Sequence, residues 1–110
     1  MKQKVSDYIA DHIAEWGIRD VFTVTGGGAM HMNDAFGHHP KLHCTYQHHE
    51  QACAMAAEAY ARMDNRMAAV CVTTGPGATN AITGVLGGWM DSIPMLVFSG
   101  QARYATTVAA

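Results

Sequence analysis

The chain has 110 residues, which is room for one ordinary domain and not for two. Hydrophobic residues make up 49% and charged residues 15%. An average soluble domain carries roughly 25% charged residues, so the balance excludes intrinsic disorder and points to outer surface covered by a partner or by further sequence. With a net charge of −2, a pI near 6.3 and no concentration of Lys and Arg, the chain lacks the electrostatic footprint of a nucleic-acid binder.

Membranes fare no better as partners. Apolar runs such as Met67 to Val72 and Ile93 to Phe98 are short, and Met1 to Lys4 is polar with no apolar signal core behind it. The expectation is a cytoplasmic protein. Cys44, Cys53 and Cys71 form no C-x-x-C pair and have apolar or small neighbours, which suits reduced, packed thiols.

Val5, Ile9, Ile13 and Trp16 recur at helical spacing and Gly17 follows, which predicts a helix over 3–16. A strand is expected over Val21–Thr25, broken by Gly26, Gly27 and Gly28. A brief helix over 29–36 and a strand over Lys41–Tyr46 come next. From His49 to Met63 six alanines, two glutamates and a closing Arg62 favour helix. Met67–Thr74 reads as a strand and Gly75-Pro76-Gly77 as a turn. Ala81, Ile82, Val85, Leu86 and Trp89 then line one helical face before a last strand over Ile93–Ser99.

Strands that alternate with helices are best satisfied by an α/β fold with an open, mainly parallel sheet and helices on both faces. Functional groups in such sheets gather at the carboxyl ends of the strands. Three segments occupy those ends: Thr25 to Ala29, Gln47 to Gln51, and Thr73 to Asn80.

The triple glycine is not a dinucleotide fingerprint, because G-x-G-x-x-G would need glycine where His31 stands. It suits either a tight turn or a backbone that a ligand approaches closely. The Gly75 to Asn80 loop lacks the G-K-[ST] ending of a phosphate loop. Glu50 is the single carboxylate of its segment. By composition alone it suits charge compensation at a helix start first, with a poised acid or base as the second reading. Seven histidines invite a zinc site, yet no H-E-x-x-H occurs, so no metal ligands are assigned.

Taken together, these segments resemble the N-terminal, pyrimidine-binding domain of thiamine diphosphate enzymes of the acetolactate synthase type. The resemblance runs through His49-Glu50-Gln51-Ala52, Ala57-Glu58-Ala59-Tyr60-Ala61-Arg62 and Val72-Thr73-Thr74-Gly75-Pro76-Gly77-Ala78-Thr79-Asn80, and extends to Asp91-Ser92-Ile93-Pro94 and Ser99-Gly100-Gln101. It implies that Glu50 is catalytic, exchanging a proton with the pyrimidine ring of thiamine diphosphate so that the cofactor attacks a 2-keto acid. It implies that Thr25, Gly26, Gly27, Gly28, Thr73, Pro76 and Asn80 line the cofactor pocket beside Glu50.

Two departures stand out. Gly26 replaces a proline common in the family, which implies a looser turn, and His48 replaces a common basic residue. The resemblance further implies a homodimer or homotetramer for the complete enzyme, with the small-residue helix Ala52 to Ala61 against a second subunit. The diphosphate and its Mg2+ belong to a separate domain with a G-D-G motif that is absent from this sequence. FAD is admitted by the family and selected by no residue here. The expectation is therefore one domain over 1–110 that has the thiamine diphosphate-binding fold, lacks its C-terminal part and is inactive alone. The alternatives are a non-catalytic binding or oligomerisation module that retains the fold, and a flavodoxin-like nucleotide binder.

Overall fold

The computed structural model describes residues 1–108, so residues 109 and 110 of the expected domain lie outside the described residues. Four helices and four strands alternate: α1 (Val5–Glu15), β1 (Asp20–Thr23), α2 (Met30–His38), β2 (His43–Tyr46), α3 (Glu50–Asp64), β3 (Ala68–Val72), α4 (Pro76–Met90) and β4 (Met95–Ser99). A single 3-10 turn over Gly27–Ala29 leads into α2, and another lies at Tyr104–Thr106. All strand pairs are parallel, in the order β2-β1-β3-β4. The expected open parallel sheet with helices on both faces is what forms.

Period-two alternation sorts the core into two layers. Val21, Ala69 and Cys71 face α1 and α2, where they meet Ala10, Ile13, Phe36 and Leu42. Ala68, Val70 and Val72 face α3 and α4, where they meet Cys53, Ala54, Ala57 and Ala81. Every residue of β3 is buried, as a central strand covered on both sides must be.

Several boundaries differ from the sequence expectation. β1 stops at Thr23 because its pairing with both neighbours stops there, and the chain then turns away through Val24 and Thr25. Pro76 opens α4 instead of sitting in a separate turn, since its missing N–H and fixed φ suit a first helical position. The apolar stripe of α1 is used only in part: Ile13 is buried, while Val5 and Trp16 are exposed.

Part of the small-residue face of α3 is taken up within this chain, while Ala52, Met55, Ala56 and Ala59 are not buried by it. Ala54, Ala57 and Ala61 are buried inside this chain. A Cβ added to Gly84 of α4 would stand 2.5 Å from the Ala54 Cβ, so the two helices cross where neither carries bulk. Beyond α4, the side chains of Ile82, Leu86 and Trp89 are exposed, and β4 is an edge strand. Among the described residues no helix is long and apolar enough to cross a membrane.

Candidate functional site

The strand order reverses between β1 and β3. From β1 the chain crosses outward to β2, and from β3 it crosses the other way to β4. Connections leave that point in opposite directions, which opens a crevice at the carboxyl ends. The Gly26–Gly28 turn follows β1 and the Thr73–Gly77 segment follows β3, so both border the crevice.

The two segments are locked together through Thr73. Gly28 N–H donates to Thr73 Oγ1 at 3.1 Å. A Cβ on Gly26 would stand 2.5 Å from the Thr73 Cβ, and one on Gly28 would stand 2.9 Å from Thr74 Cγ2. Only glycine lets the turn lie this close to β3. Asn33 of α2 holds the other side: its Oδ1 accepts from Gly26 N–H at 3.4 Å, and its Nδ2 donates to Thr23 Oγ1 at 3.2 Å. Thr23 Oγ1 in turn donates to the Cys71 carbonyl at 2.7 Å. The turn is therefore tied down on two sides and is not loose, contrary to what the missing proline suggests.

Glu50 is the first residue of α3, placed there by the extended backbone of His49, whose Nδ1 caps the helix by accepting from Gln51 N–H at 3.0 Å. Its side chain reaches across to α4, where Asn80 Nδ2 donates to Glu50 Oε2 at 3.1 Å. α4 can present Asn80 because Gly75 turns sharply, with φ +61° and ψ −119°, before Pro76 starts the helix. Gly77 is buried between these groups. A Cβ there would lie 2.7 Å from Thr73 Cγ2 and 3.7 Å from Glu50 Oε1, so glycine keeps a space open beside the carboxylate.

The fold thus brings Glu50, Asn80, Thr73, Gly26 and Gly28 to one end of one crevice. Thr25 and Gly27 are exposed on the rim of the turn, and a Cβ on Gly27 would meet nothing within 4 Å. Pro76 contributes a helix start, with its carbonyl accepting from Thr79 Oγ1 at 3.2 Å. Sequence reasoning gave no site role to Gly77, Asn33 or Gly100. Gly100 packs where a Cβ would come within 2.5 Å of the Gly28 carbonyl, and Gln101 N–H donates to that carbonyl at 3.3 Å. Gly77 carried a visible signal, the second glycine of Gly-Pro-Gly, but Asn33 had none, because its partners lie on two strands far apart in the chain.

Cys53 sits one turn beyond Glu50. Burial, with the nearby Glu50 carboxylate second, pushes its thiol up to about 11. Burial likewise pushes Cys71 up to about 11. Both stay protonated at neutral pH and offer no nucleophile. Among the described residues no group of three or more His, Cys, Asp or Glu side chains is placed to hold a metal ion.

A parallel sheet with a carboxylate, an amide and a glycine turn at its switch point is the frame of a cofactor-binding domain. The family model described as "Thiamine pyrophosphate enzyme, N-terminal TPP binding domain" matches residues 3–108, and the chain belongs to that family. Similar proteins include the acetolactate synthase large subunit of Lactococcus lactis subsp. lactis, 36% identical over 96 residues, which is 87% of this chain and 17% of that protein. Acetolactate synthase 2, chloroplastic, of Zea mays is 37% identical over 99 residues, covering 90% of this chain and 16% of its own length. The acetolactate synthase large subunit of Buchnera aphidicola subsp. Schizaphis graminum is 45% identical over 85 residues, covering 77% and 15%. The chain therefore spans about one sixth of the length of these relatives.

Proposed function

We propose that this chain forms the pyrimidine-binding half-site of a thiamine diphosphate-dependent enzyme acting on 2-keto acids, of the acetolactate synthase kind. The observation that carries this reading is the hydrogen bond from Asn80 to Glu50 Oε2, which fixes the carboxylate and leaves Oε1 beside Gly77 with no hydrogen bond among the described residues. These residues fit an aminopyrimidine: a carboxylate that holds or releases a proton, an amide that orients it, and an open space where a Cβ would intrude.

When bound, thiamine diphosphate supplies a carbon centre that adds to a 2-keto acid and accommodates the electron pair left by decarboxylation. Glu50 would hold, at Oε1, the proton exchanged with a ring nitrogen. Asn80 keeps Oε2 occupied, so the exchange is confined to one oxygen. Thr73 and the Gly26–Gly28 backbone would line the ring's pocket, with Thr25 and Gly27 at its rim. Pro76 sets the start of α4 so that Asn80 arrives in register. Excluding water from this crevice would keep the proton affinities of acid and ring close.

Diphosphate and Mg2+ are assigned to a separate domain, contributed by a second subunit or by further sequence, and the chain alone is expected to be inactive. The exposed Ile82, Leu86 and Trp89 of α4 support a covering partner there, in a homodimer or homotetramer. Three free cysteines support a cytoplasmic location.

The test is to combine the chain with a diphosphate-binding domain and follow consumption of a 2-keto acid. Wild-type chain should restore turnover, and Glu50→Gln should lower it by about 10² to 10⁴-fold with the fold intact. Equal turnover by both would overturn the assignment. No turnover by either, with a complex formed, would favour a non-catalytic module.

A further inference from the structure

Buried polar side chains are scarce in this fold: among the described residues they are Ser6 and Thr23. Thr23 is 1% exposed and ends β1, where valine would fill the same space with no hydroxyl to satisfy. That hydroxyl is committed in one direction. It donates to the Cys71 carbonyl at 2.7 Å, so toward Asn33 it can only accept, which it does from Nδ2 at 3.2 Å. The same nitrogen points at Cys71 Sγ, 3.7 Å away. The Asn33 amide is thereby oriented with Oδ1 toward the Gly26 N–H, at 3.4 Å. One line of donors runs from the glycine turn through α2 and β1 to β3.

Asn33 is a poor choice for its own helix. It is the fourth residue of α2, half-buried, where asparagine is a weak helix former. A local rule broken in this way is expected where a residue serves a site. The carbonyls of the turn are held by backbone groups, with Ala29 N–H donating to Gly26 at 3.1 Å and Gln101 N–H to Gly28 at 3.3 Å. Gly26 N–H is the group through which α2 controls the turn.

We infer that Asn33, anchored through Thr23, is a positioning residue for the cofactor: it sets where the Gly26–Gly28 backbone stands, and so how tightly the aminopyrimidine is held. The inference rests on the half-site reading above and assigns Asn33 to affinity, leaving proton exchange to Glu50.

The test assembles the chain with a diphosphate-binding domain, measures thiamine diphosphate binding by calorimetry and follows 2-keto acid turnover across cofactor concentrations. Asn33→Ala and Thr23→Val should each raise the dissociation constant and the half-saturating concentration about fivefold. At saturation kcat should change less than about twofold, because Glu50 and Asn80 keep their contact. The double variant should bind no more weakly than either single one, since both cut the same line. Thr23→Ser, which keeps the hydroxyl, should bind as wild type. In the chain alone, Asn33→Ala should speed amide exchange at Gly26 about fivefold. A purely structural role would lower the active fraction, and hence kcat, without moving half-saturation. If Asn33→Ala fails to fold, Thr23→Val carries the test. Unchanged binding by the variants, or a loss confined to kcat, would overturn the inference alone. Failure of the wild-type assembly to bind the cofactor would overturn the half-site reading, and this inference with it.

Discussion

Replacing Gly26 by alanine should cost far more than its half-buried setting suggests. The backbone there is extended, with φ −169° and ψ 158°, so any residue can adopt it and the whole cost is contact. The new Cβ would stand 2.5 Å from Thr73 Cβ, 2.6 Å from Oγ1 and 2.7 Å from Cγ2, where carbon atoms rest at about 3.5 to 4.0 Å. Rotating Thr73 about χ1 cannot help, because its Cβ is one of the three atoms. The turn must lift off β3, and lifting it pulls Gly28 N–H away from Thr73 Oγ1. Overpacking of this kind costs about 1–3 kcal/mol and the lost hydrogen bond about 1 more, so urea unfolding should report a loss of about 2–4 kcal/mol. Thr73→Gly should recover the overpacking share of the loss, though not the hydrogen bond to Oγ1 that it removes, whereas Thr73→Ala, which keeps the Cβ, should recover neither. Gly27→Ala next door should change stability by less than about 0.5 kcal/mol, since nothing lies within 4 Å. If Gly26→Ala proved as mild as Gly27→Ala, or Thr73→Ala rescued as well as Thr73→Gly, the reasoning would be refuted. The same contact excludes proline at this position: its ring would meet Thr73, its φ would be held near −65° against −169° here, and it would remove the N–H that donates to Asn33 Oδ1.

Other substitutions separate packing from chemistry. Gly84→Ala gains helix propensity of about 1 kcal/mol, but the Cβ would sit 2.5 Å from Ala54 Cβ and 3.0 Å from the Met55 backbone nitrogen. Thermal unfolding should therefore show a net loss, and a gain would mean that α3 and α4 are more loosely packed. Asn80→Ala removes an exposed hydrogen bond and should change stability by less than about 1 kcal/mol. Turnover of the assembled enzyme should nevertheless fall about tenfold as Glu50 loses its orientation; an unchanged rate would remove Asn80 from the site. Cys53 and Cys71 titrate at about 11 in the fold, against 9.0 for an ordinary thiol. The unfolded chain therefore loses these protons first, and stability present below pH 9 should decline as pH rises from about 9 to 11. Denaturant midpoints measured across that range check the sign, and a Cys53→Ala, Cys71→Ala variant should show a flatter decline.

Composition and periodicity were enough to determine the class of fold. The alternation of helix and strand patterns required a parallel sheet covered on both faces, because right-handed crossovers admit little else. They also placed the Thr25 to Ala29, Gln47 to Gln51 and Thr73 to Asn80 segments at the carboxyl ends of strands, and Glu50 stood out as the lone carboxylate among small residues. Local pattern carries that much because it depends on neighbours within a few residues. The strand order, and with it the crevice between β1 and β3, arose only on folding. So did the pairing of Glu50 with Asn80, 30 positions apart, and the anchoring of the glycine turn by Asn33 and Thr73. The inward turn of the Ala54, Ala57 and Ala61 face belongs to the same class, since an alanine-rich helix buries equally well against its own α4 or a foreign subunit. Contacts between residues distant in sequence are chosen by the packing of whole elements, and no single segment holds the information that selects them.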